Sequence, residues 1–356
     1  MLILLAEFPQ GNSYNTSLIK AYEEQGQTVV CDHTNFFYSN IIPDMVHVQW
    51  PERLYHWYPL SEKADKVKIE ILHERLKWYK NNGAIIVFTI HDLVLHNSDN
   101  RRLDNKIFNL ILEYSDIISH HCSNSVKLFA ELYPLAMSKI NIINFHGDYL
   151  IDYKYVRKEE ARSKLNIPYD KFVILNFGAQ YVYKGRGFIE KVFNSCSIDS
   201  KYLLSAGVYS YIDLFFIKKL VLEIRNDLRV RRNFSKKKYL YRSIKNDEIP
   251  TVFNASDVVF LGHRSGLNTG IIPLAATYAK PVIYPELGCF KESAKDWAAI
   301  GYEPGNVKQG NEALNELYDK LKKGKINLDN SEWLEKKSWK NHVELILKTV
   351  TNFKKV

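Results

Sequence analysis

The sequence predicts an α/β protein built twice: two Rossmann-like, doubly wound domains facing one another across a cleft. Three observations carry that expectation. Short β-branched runs alternate with amphipathic helical patterns, the signature of parallel sheets wound by crossover helices. These runs fall into two series separated by a turn-rich, charged stretch. At 356 residues the chain also exceeds the size at which one hydrophobic core keeps growing, so two domains of ordinary size are expected.

The first series of strand-like runs is MLILLAEF, MVHVQW, AIIVFTIH, SDIISHH and KINIINFH. The opening run has only six consecutive apolar residues and no basic flank, which suits a buried first strand better than a signal peptide. Between the series, GDYLIDYKYVRKEEARSKLNIPYD begins with turn residues and carries a charged helix, EEARSKL, that ends before Pro168. It reads as a hinge and domain start. The second series is KFVILNFG, KYLLSAG, SDVVFLGH and KPVIYP. NEALNELYDKLKKGK then reads as an amphipathic surface helix. The tail that follows is capped either by Asp329, with Glu332 completing a capping box, or by Ser331. The expected division is residues 1–155, a first Rossmann-like domain; 156–330, a second; and 331–356, a C-terminal helix packing back on the first.

Composition excludes several classes. With 46% hydrophobic and 25% charged residues the chain is ordinary globular material. No segment offers the roughly 18 uncharged apolar residues of a spanning helix, so a cytoplasmic protein is expected. Cys31, Cys122, Cys196 and Cys289 form no CxxC pair and read as small core residues. The net charge of +9 is uneven. Residues 1–155 carry 14 Lys and Arg against 18 Asp and Glu, whereas the remainder carries 35 against 22. Much of the excess lies in 218–245, with 11 basic and 2 acidic residues. That stretch reads as a solvated helix and loop face or as a surface for anionic headgroups or pyrophosphates; nucleic acid ranks last.

In facing parallel sheets, ligands bind beyond the carboxyl ends of the strands. The residues there are Gln49, Trp50 and Glu52; His91, Asp92 and His96; His120 and His121; His146, Gly147 and Tyr149; Gly178, Tyr183 and Lys184; Gly207; and Arg264. Five of the eleven histidines fall on the ends between 91 and 146, a repetition that points to function more than one strand-end His would. No HExxH, DxD, GxSxG, Walker A or GxGxxG after the first strand occurs, so metal, serine hydrolase, P-loop and dinucleotide redox chemistry are not expected. What remains is anion binding in the second domain. Lys184-Gly-Arg186-Gly opens a helix after a strand, and Arg264 with Ser-Gly-Leu-Asn268-Thr269-Gly270 precedes another. Unpaired N–H groups and the helix dipole favour a diphosphate at such a mouth, although Asn268 or Thr269 could equally be a plain N-cap.

In order and spacing, these motifs resemble the GT-B glycosyltransferases, in particular the bacterial polysaccharide-assembly group near glycosyltransferase families four and ninety-four. HVQWPE resembles that group's His-x-His-Trp-Pro-Glu, with Gln49 for the second His. FTIHDLVLHN resembles Thr-x-His-Asn-x-x-Pro-His, with Asp92 for Asn and Leu95 for Pro. NFHGDYLIDY resembles His-Pro-x-Tyr, with Gly147 for Pro. The Ala-Arg-x-x-Leu, Phe-Gly, Tyr-Lys-Gly, Ala-Asp, Ser-Gly and Lys-Pro-Val-Ile-x-Pro series follows, and the similarity runs from about Asn12 to Glu292.

The resemblance implies metal-independent transfer of a sugar from a nucleotide-diphosphate donor, UDP- or GDP-linked, to a saccharide acceptor that is lipid-linked and destined for capsule, exopolysaccharide or lipopolysaccharide. Peripheral attachment to the inner face of the membrane is implied with it. Carried over by position, Gly178, Lys184, Arg264, Asn268, Thr269, Gly270, His146 and Glu292 bind the donor. One departure bears on mechanism: Gly266 and Leu274 stand where many retaining enzymes carry a Glu-x7-Glu pair. An inverting transfer needs a general base, for which Glu52, His91 and Asp92 are the candidates. The alternatives on the same architecture are a sugar-nucleotide epimerase, a phosphorylase and a noncatalytic sugar-nucleotide-binding subunit.

Overall fold

The computed structural model describes residues 1–8, 12–94, 100–211, 215–232 and 234–355, the side chain of Asp152 excepted. Its contacts divide the chain into two compact units, Met1–Gly147 with Lys336–Val356, and Asp148–Glu335.

The first unit contains β1 (Leu2–Leu5), α1 (Ser13–Glu24), β2 (Thr28–Cys31), α2 (His33–Tyr38), β3 (Met45–Val48), α3 (Pro51–His56), α4 (Asp65–Asn81), β4 (Ile85–Ile90), α5 (Arg101–Tyr114), β5 (Ile117–His120), α6 (Ser123–Leu132) and β6 (Ile140–Ile143). The strands form one sheet of order β2-β1-β3-β4-β5-β6, every pairing parallel. Parallel sheets are covered on both faces, and the central strands accordingly read as unbroken apolar runs: all six residues of β4 are buried.

The second unit contains α7 (Lys158–Lys164), β7 (Phe172–Phe177), α8 (Phe188–Ser195), β8 (Lys201–Ala206), α9 (Phe216–Arg231), β9 (Lys237–Leu240), α10 (Ile249–Asn254), β10 (Val258–Phe260), α11 (Ile271–Thr277), β11 (Val282–Pro285), α12 (Phe290–Ser293), β12 (Ala299–Tyr302), α13 (Val307–Lys322) and α14 (Ser331–Lys336). Its sheet, also parallel, runs β12-β11-β10-β7-β8-β9. Alternate residues of β7 feed opposite faces, Val173 and Leu175 into one core cluster and Phe172 and Ile174 into the other.

The tail is two helices rather than one. Asp329 Oδ1 accepts the Ser331 N–H at 3.0 Å before α14, and Ser338 Oγ caps a separate α15 (Trp339–Phe353) by accepting the Asn341 N–H at 3.3 Å. α15 packs on α1, adding Trp339, Val343, Ile346 and Val350 to the core formed by Ile3, Leu5, Leu18 and Tyr22. Its Trp339 ring also explains why Gly147 stands where the resembling group has Pro. A Cβ at Gly147 would lie 2.4 Å from the indole.

Three of the twelve strands among the described residues escape the sequence reading: β2, β9 and β12. All three are edge strands. An edge strand has one neighbour and a partly solvated surface: TVVC, KKYL and AIGY hold only two buried residues between them, Tyr239 and Tyr302, where β4 is buried throughout. The basic stretch 218–245 therefore holds a strand as well as a helix.

Arg162 of the Ala-Arg-x-x-Leu motif and Asp257, at the place of the Ala-Asp motif, turn out to be two halves of one structural contact. Arg162, on α7, is buried; its Nη2 meets Asp257 Oδ2 at 2.7 Å, its Nε donates to Ala255 O at 3.1 Å, and its Nη1 donates to Tyr169 O at 2.7 Å. Asp257 also accepts the Val173 N–H at 2.6 Å, which fixes the start of β7 beside β10. Without Arg162, Asp257 keeps only the half-exposed Lys158 ammonium, 2.5 Å from its Oδ1, as a contacting counter-charge among the described residues, and the Ala255 and Tyr169 carbonyls lose their donor. Arg162→Ala should therefore lower unfolding stability by about 3–5 kcal/mol in chemical denaturation. A loss below about 1 kcal/mol would show that the contact is not the staple of this unit.

Candidate active site

The parallel register sets the ends of β3, β4, β5 and β6 side by side: His47 pairs with Val87, Ile90 with His120, and His120 with Ile143. The residues just beyond these ends meet in one cluster. A hydrogen-bond relay crosses it. Tyr22 Oη lies 3.1 Å from His47 Nδ1, Gln49 Nε2 donates to His47 Nε2 at 2.9 Å, and His91 Nε2 donates to Gln49 Oε1 at 2.7 Å. Thr89 Oγ1 adds a 2.8 Å contact to His47 Nε2. Gln49 thus has a specific use where the resembling group has His. Its amide offers a donor to one imidazole and an acceptor to the next, which fixes His91 with its proton on Nε2 and Nδ1 as its basic nitrogen.

Around this relay the rings pack closely. Trp50 stacks on His91 with centroids 4.0 Å apart at 14°, and Tyr14 meets the edge of His91 at 4.9 Å. His121 lies 5.1 Å from His91, His146 5.6 Å from His121, and His342 of α15 6.2 Å from His121. Each outer ring is oriented by a backbone carbonyl: His121 Nδ1 by Asn144 O at 2.9 Å, His146 Nδ1 by Gly147 O at 2.8 Å, and His342 Nδ1 by Phe145 O at 2.8 Å. Among the described residues, no partner meets Nε2 of His121 or of His342.

Burial holds the cluster neutral. Desolvation pushes His47 down to about 3 and His146 and His342 to about 4, and it drives His91 and His121 well below the ordinary imidazole range, with neighbouring rings adding to the effect. No group of three or more His, Cys, Asp or Glu among the described residues is placed to hold a metal ion. His120 stands apart: its nitrogens contact Ser125 Oγ and Asn141 Oδ1, each at 2.9 Å, as a structural core residue.

The carboxylates divide the work differently. Glu7, just past β1, is fully buried, with Arg53 Nη1 2.7 Å away and the Trp50 N–H donating to it at 3.3 Å. Glu52 sits in the first turn of α3 behind Pro51. Its Oε2 is buried without a partner among the described residues. Burial, helped by the Asp92 and Glu7 charges and opposed by its own backbone N–H and by Arg53, pushes its carboxyl up to about 7. Such a group changes protonation at neutral pH, as a general base must.

In the second unit, the Arg264 N–H donates to Tyr183 O at 2.7 Å. That bond ties the loop after β10 to the Tyr183–Lys184 turn. The approach is close enough to require glycine: Gly185 has φ +72°, and a Cβ there would lie 1.8 Å from Gly262 O. Arg264 is exposed and Lys184 half-buried on these joined loops. Gly178, at the end of β7, packs toward Ile271 at the start of α11. Asn268, Thr269 and Gly270 lead into that helix, but its mouth differs from a row of open donors. Thr269 Oγ1 accepts the Ile271 N–H at 3.3 Å, and Pro273 has no N–H to give. Arg186, by contrast, is held by Ser210 O and lies over the Tyr209 ring. Glu292 is on α12, whose approach is fixed by the Cys289 N–H donating to Leu267 O at 2.8 Å.

His91, Asp92, Glu52 and His146 thus lie in the first unit; Gly178, Lys184, Arg264, Asn268, Thr269, Gly270 and Glu292 lie in the second. His96 falls outside the described residues. Gly266 has φ +135°, and Leu274 is buried, so neither position of the missing Glu pair presents a carboxylate. Sequence reasoning passed over Glu7, Tyr14, Arg53, Trp339 and His342. Glu7 carries the strand-end signal that selected the others. His342 carries none, being brought in by the return of α15.

Solved structures share this fold over the whole chain. That of Anabaena Alr3699/HepE in complex with UDP-glucose superposes with a TM-score of 0.68 at 14% identity, covering 99% of each chain. Sucrose-phosphate synthase from Thermosynechococcus elongatus gives 0.71 at 12%, covering 100% of this chain and 99% of that one. A glycosyltransferase from Rickettsia africae gives 0.66 at 14%, covering 99% and 97%. No protein-family model matches the chain, and no curated protein matches it in sequence. The fold is that of the GT-B glycosyltransferases, as the motif series implies.

A carboxyl whose native pKa lies above its unfolded value binds more protons when folded. Its contribution to stability is therefore greatest at low pH and falls as pH rises from about 4.5 to about 7. Glu52→Gln removes that penalty. Between pH 5 and pH 8 the variant should gain about 1–3 kcal/mol of unfolding stability relative to the parent; a pH-independent difference would contradict the raised pKa.

Proposed function

We propose that the protein is a metal-independent glycosyltransferase that moves a sugar from a UDP- or GDP-sugar to a saccharide acceptor, with inversion at the anomeric carbon. The observation that carries the reading is the full-length fold match, 99% of each chain, to a protein solved with UDP-glucose. The second unit receives the donor: Lys184 and Arg264 flank its diphosphate, with Gly178, Asn268, Thr269, Gly270 and Glu292 around it. Positive side chains and backbone N–H groups stabilise the negative charge that develops as the nucleoside diphosphate leaves.

The first unit receives the acceptor. Its hydroxyl oxygen attacks the anomeric carbon, the bond from that carbon to the diphosphate oxygen breaks, and the hydroxyl proton passes to the Glu52 carboxylate. Asp92 raises the basicity of Glu52 through its nearby charge, and the neutral His91, fixed by Gln49, contacts the transferred sugar. The acceptor is a lipid-linked oligosaccharide of cell-surface polysaccharide assembly, as the motif resemblance suggests.

Incubation with a panel of UDP- and GDP-sugars, followed by thermal shift and donor hydrolysis, tests the reading. Stabilisation with slow hydrolysis is expected. Stabilisation without hydrolysis or transfer would favour a noncatalytic binding subunit, and no stabilisation by any nucleotide would remove both. In the active protein, kcat should rise with pH through a limb near 7, and Glu52→Gln should cut kcat by about 100-fold or more with donor KM little changed. Arg264→Ala should weaken donor binding by about 10- to 100-fold, in the range of a hydrogen bond to a charged group. Thr269→Val should weaken it less, by removing the hydroxyl that accepts the Ile271 N–H at the start of α11. Unchanged donor affinity in both variants would refute the donor site.

A further inference from the structure

α9 is turned inside out. The side that packs against its own unit carries Leu222, Glu223, Asn226 and Arg229. Two of these are held by polar contacts. Asn226 Nδ2 donates to Tyr211 Oη at 2.9 Å, and Arg229 makes a forked pair with Glu190 at 2.8 and 3.0 Å. The opposite side carries Phe216, Ile217, Leu220, Val221, Ile224 and Leu228, spaced as one helical face. Phe216 is 79% exposed, Ile217 77%, Leu228 62%, and even Leu220, the least exposed of them, 48%. A contiguous apolar face of this kind on a folded protein marks a docking surface.

The surrounding charge selects the partner. Lys218, Arg225 and Arg232 are exposed and follow helical spacing along one border of the apolar face, and Lys236, four residues past Arg232, is exposed as well. Glu223 is paired with Lys219 at 3.8 Å. With 11 basic and 2 acidic residues in 218–245, a second copy of this surface would be repelled. A nucleic acid would match the charge and leave six apolar side chains in water. An anionic bilayer matches both, since headgroups meet the cations while the acyl boundary takes up the apolar side chains.

We infer that α9 is an interfacial helix that docks the protein on an anionic membrane, lying in the plane of the headgroups. No helix of the described residues is long and apolar enough to cross a membrane. The inference uses no residue of the donor or acceptor sites, so it stands or falls apart from the transfer reading.

The test compares vesicles of phosphatidylcholine alone with vesicles containing about three-tenths phosphatidylglycerol, at about 0.1 and 0.5 M salt. The protein should cosediment with the anionic vesicles, more weakly at high salt, and not with the neutral ones. I217N/L220N/I224N and K218E/R225E/R232E should each lower the partition coefficient by about tenfold or more with unchanged circular dichroism and melting, because these side chains touch solvent. A bimane probe on Leu220→Cys should shift to the blue on anionic vesicles only. Equal binding to both vesicle types, full binding by both triple variants, or an unshifted probe would overturn the assignment. So would a native dimer by light scattering that I217N/L220N/I224N converts to a monomer, which would give the face to a second copy.

Discussion

Burial of parallel sheets on both faces is the constraint from which the rest follows. Each strand of such a sheet spends its side chains on core, so polar chemistry collects beyond the carboxyl ends, where the chain turns. In the first unit this crowds five imidazoles, an amide and two carboxylates into a space too dry to keep the rings charged. The outcome is ordered by hydrogen bonding: carbonyls fix the outer histidines, Gln49 fixes His91 against His47, and Arg53 compensates Glu7. Glu52 is desolvated with less compensation, and its proton affinity rises into the neutral range.

The part of the fold legible in the sequence is the part that this burial writes most strongly. Central strands such as IIVFTI and FVILNF are apolar on both faces and stand out as continuous runs. Three of the four edge strands among the described residues do not, because one side of their ladder is open and they are only partly buried. KKYL lies inside a basic stretch that looks like a solvated surface until the sheet is seen. The tail carried a similar ambiguity. Neither Asp329 nor Ser331 marks the break at Ser338, and a helix boundary set by one hydroxyl in a charged, amphipathic stretch has little periodic signal.

For the candidate site, strand-end position was the informative signal and local motif the weaker one. It picked out Gln49, Glu52, His91, Asp92, His121 and His146, six residues that the first unit gathers or sets close together. It could not find His342 or Trp339, whose places depend on contacts made across nearly the whole chain. Motif resemblance, in turn, mixed structure with chemistry. Arg162 and Asp257 are the most recognisable pair in the series, and they form a buried staple between α7 and β10. Gly147 departs from the pattern because an indole occupies the space of a proline ring.

The mouth of α11 is less open than its sequence suggests, with Thr269 Oγ1 taking up the Ile271 N–H and Pro273 withholding a donor. Charge stabilisation at the proposed donor site therefore rests more on Lys184 and Arg264, whose loops are joined by the bond from Arg264 to Tyr183. With no carboxylate at Gly266 or Leu274, the proposed chemistry rests on a base in the first unit. The most direct measurement of that claim is the anomeric configuration of the glycosidic bond formed on the acceptor from an α-linked nucleotide sugar, read by proton NMR. Deprotonation of the acceptor by Glu52 predicts a β-linked product; an α-linked product would contradict it.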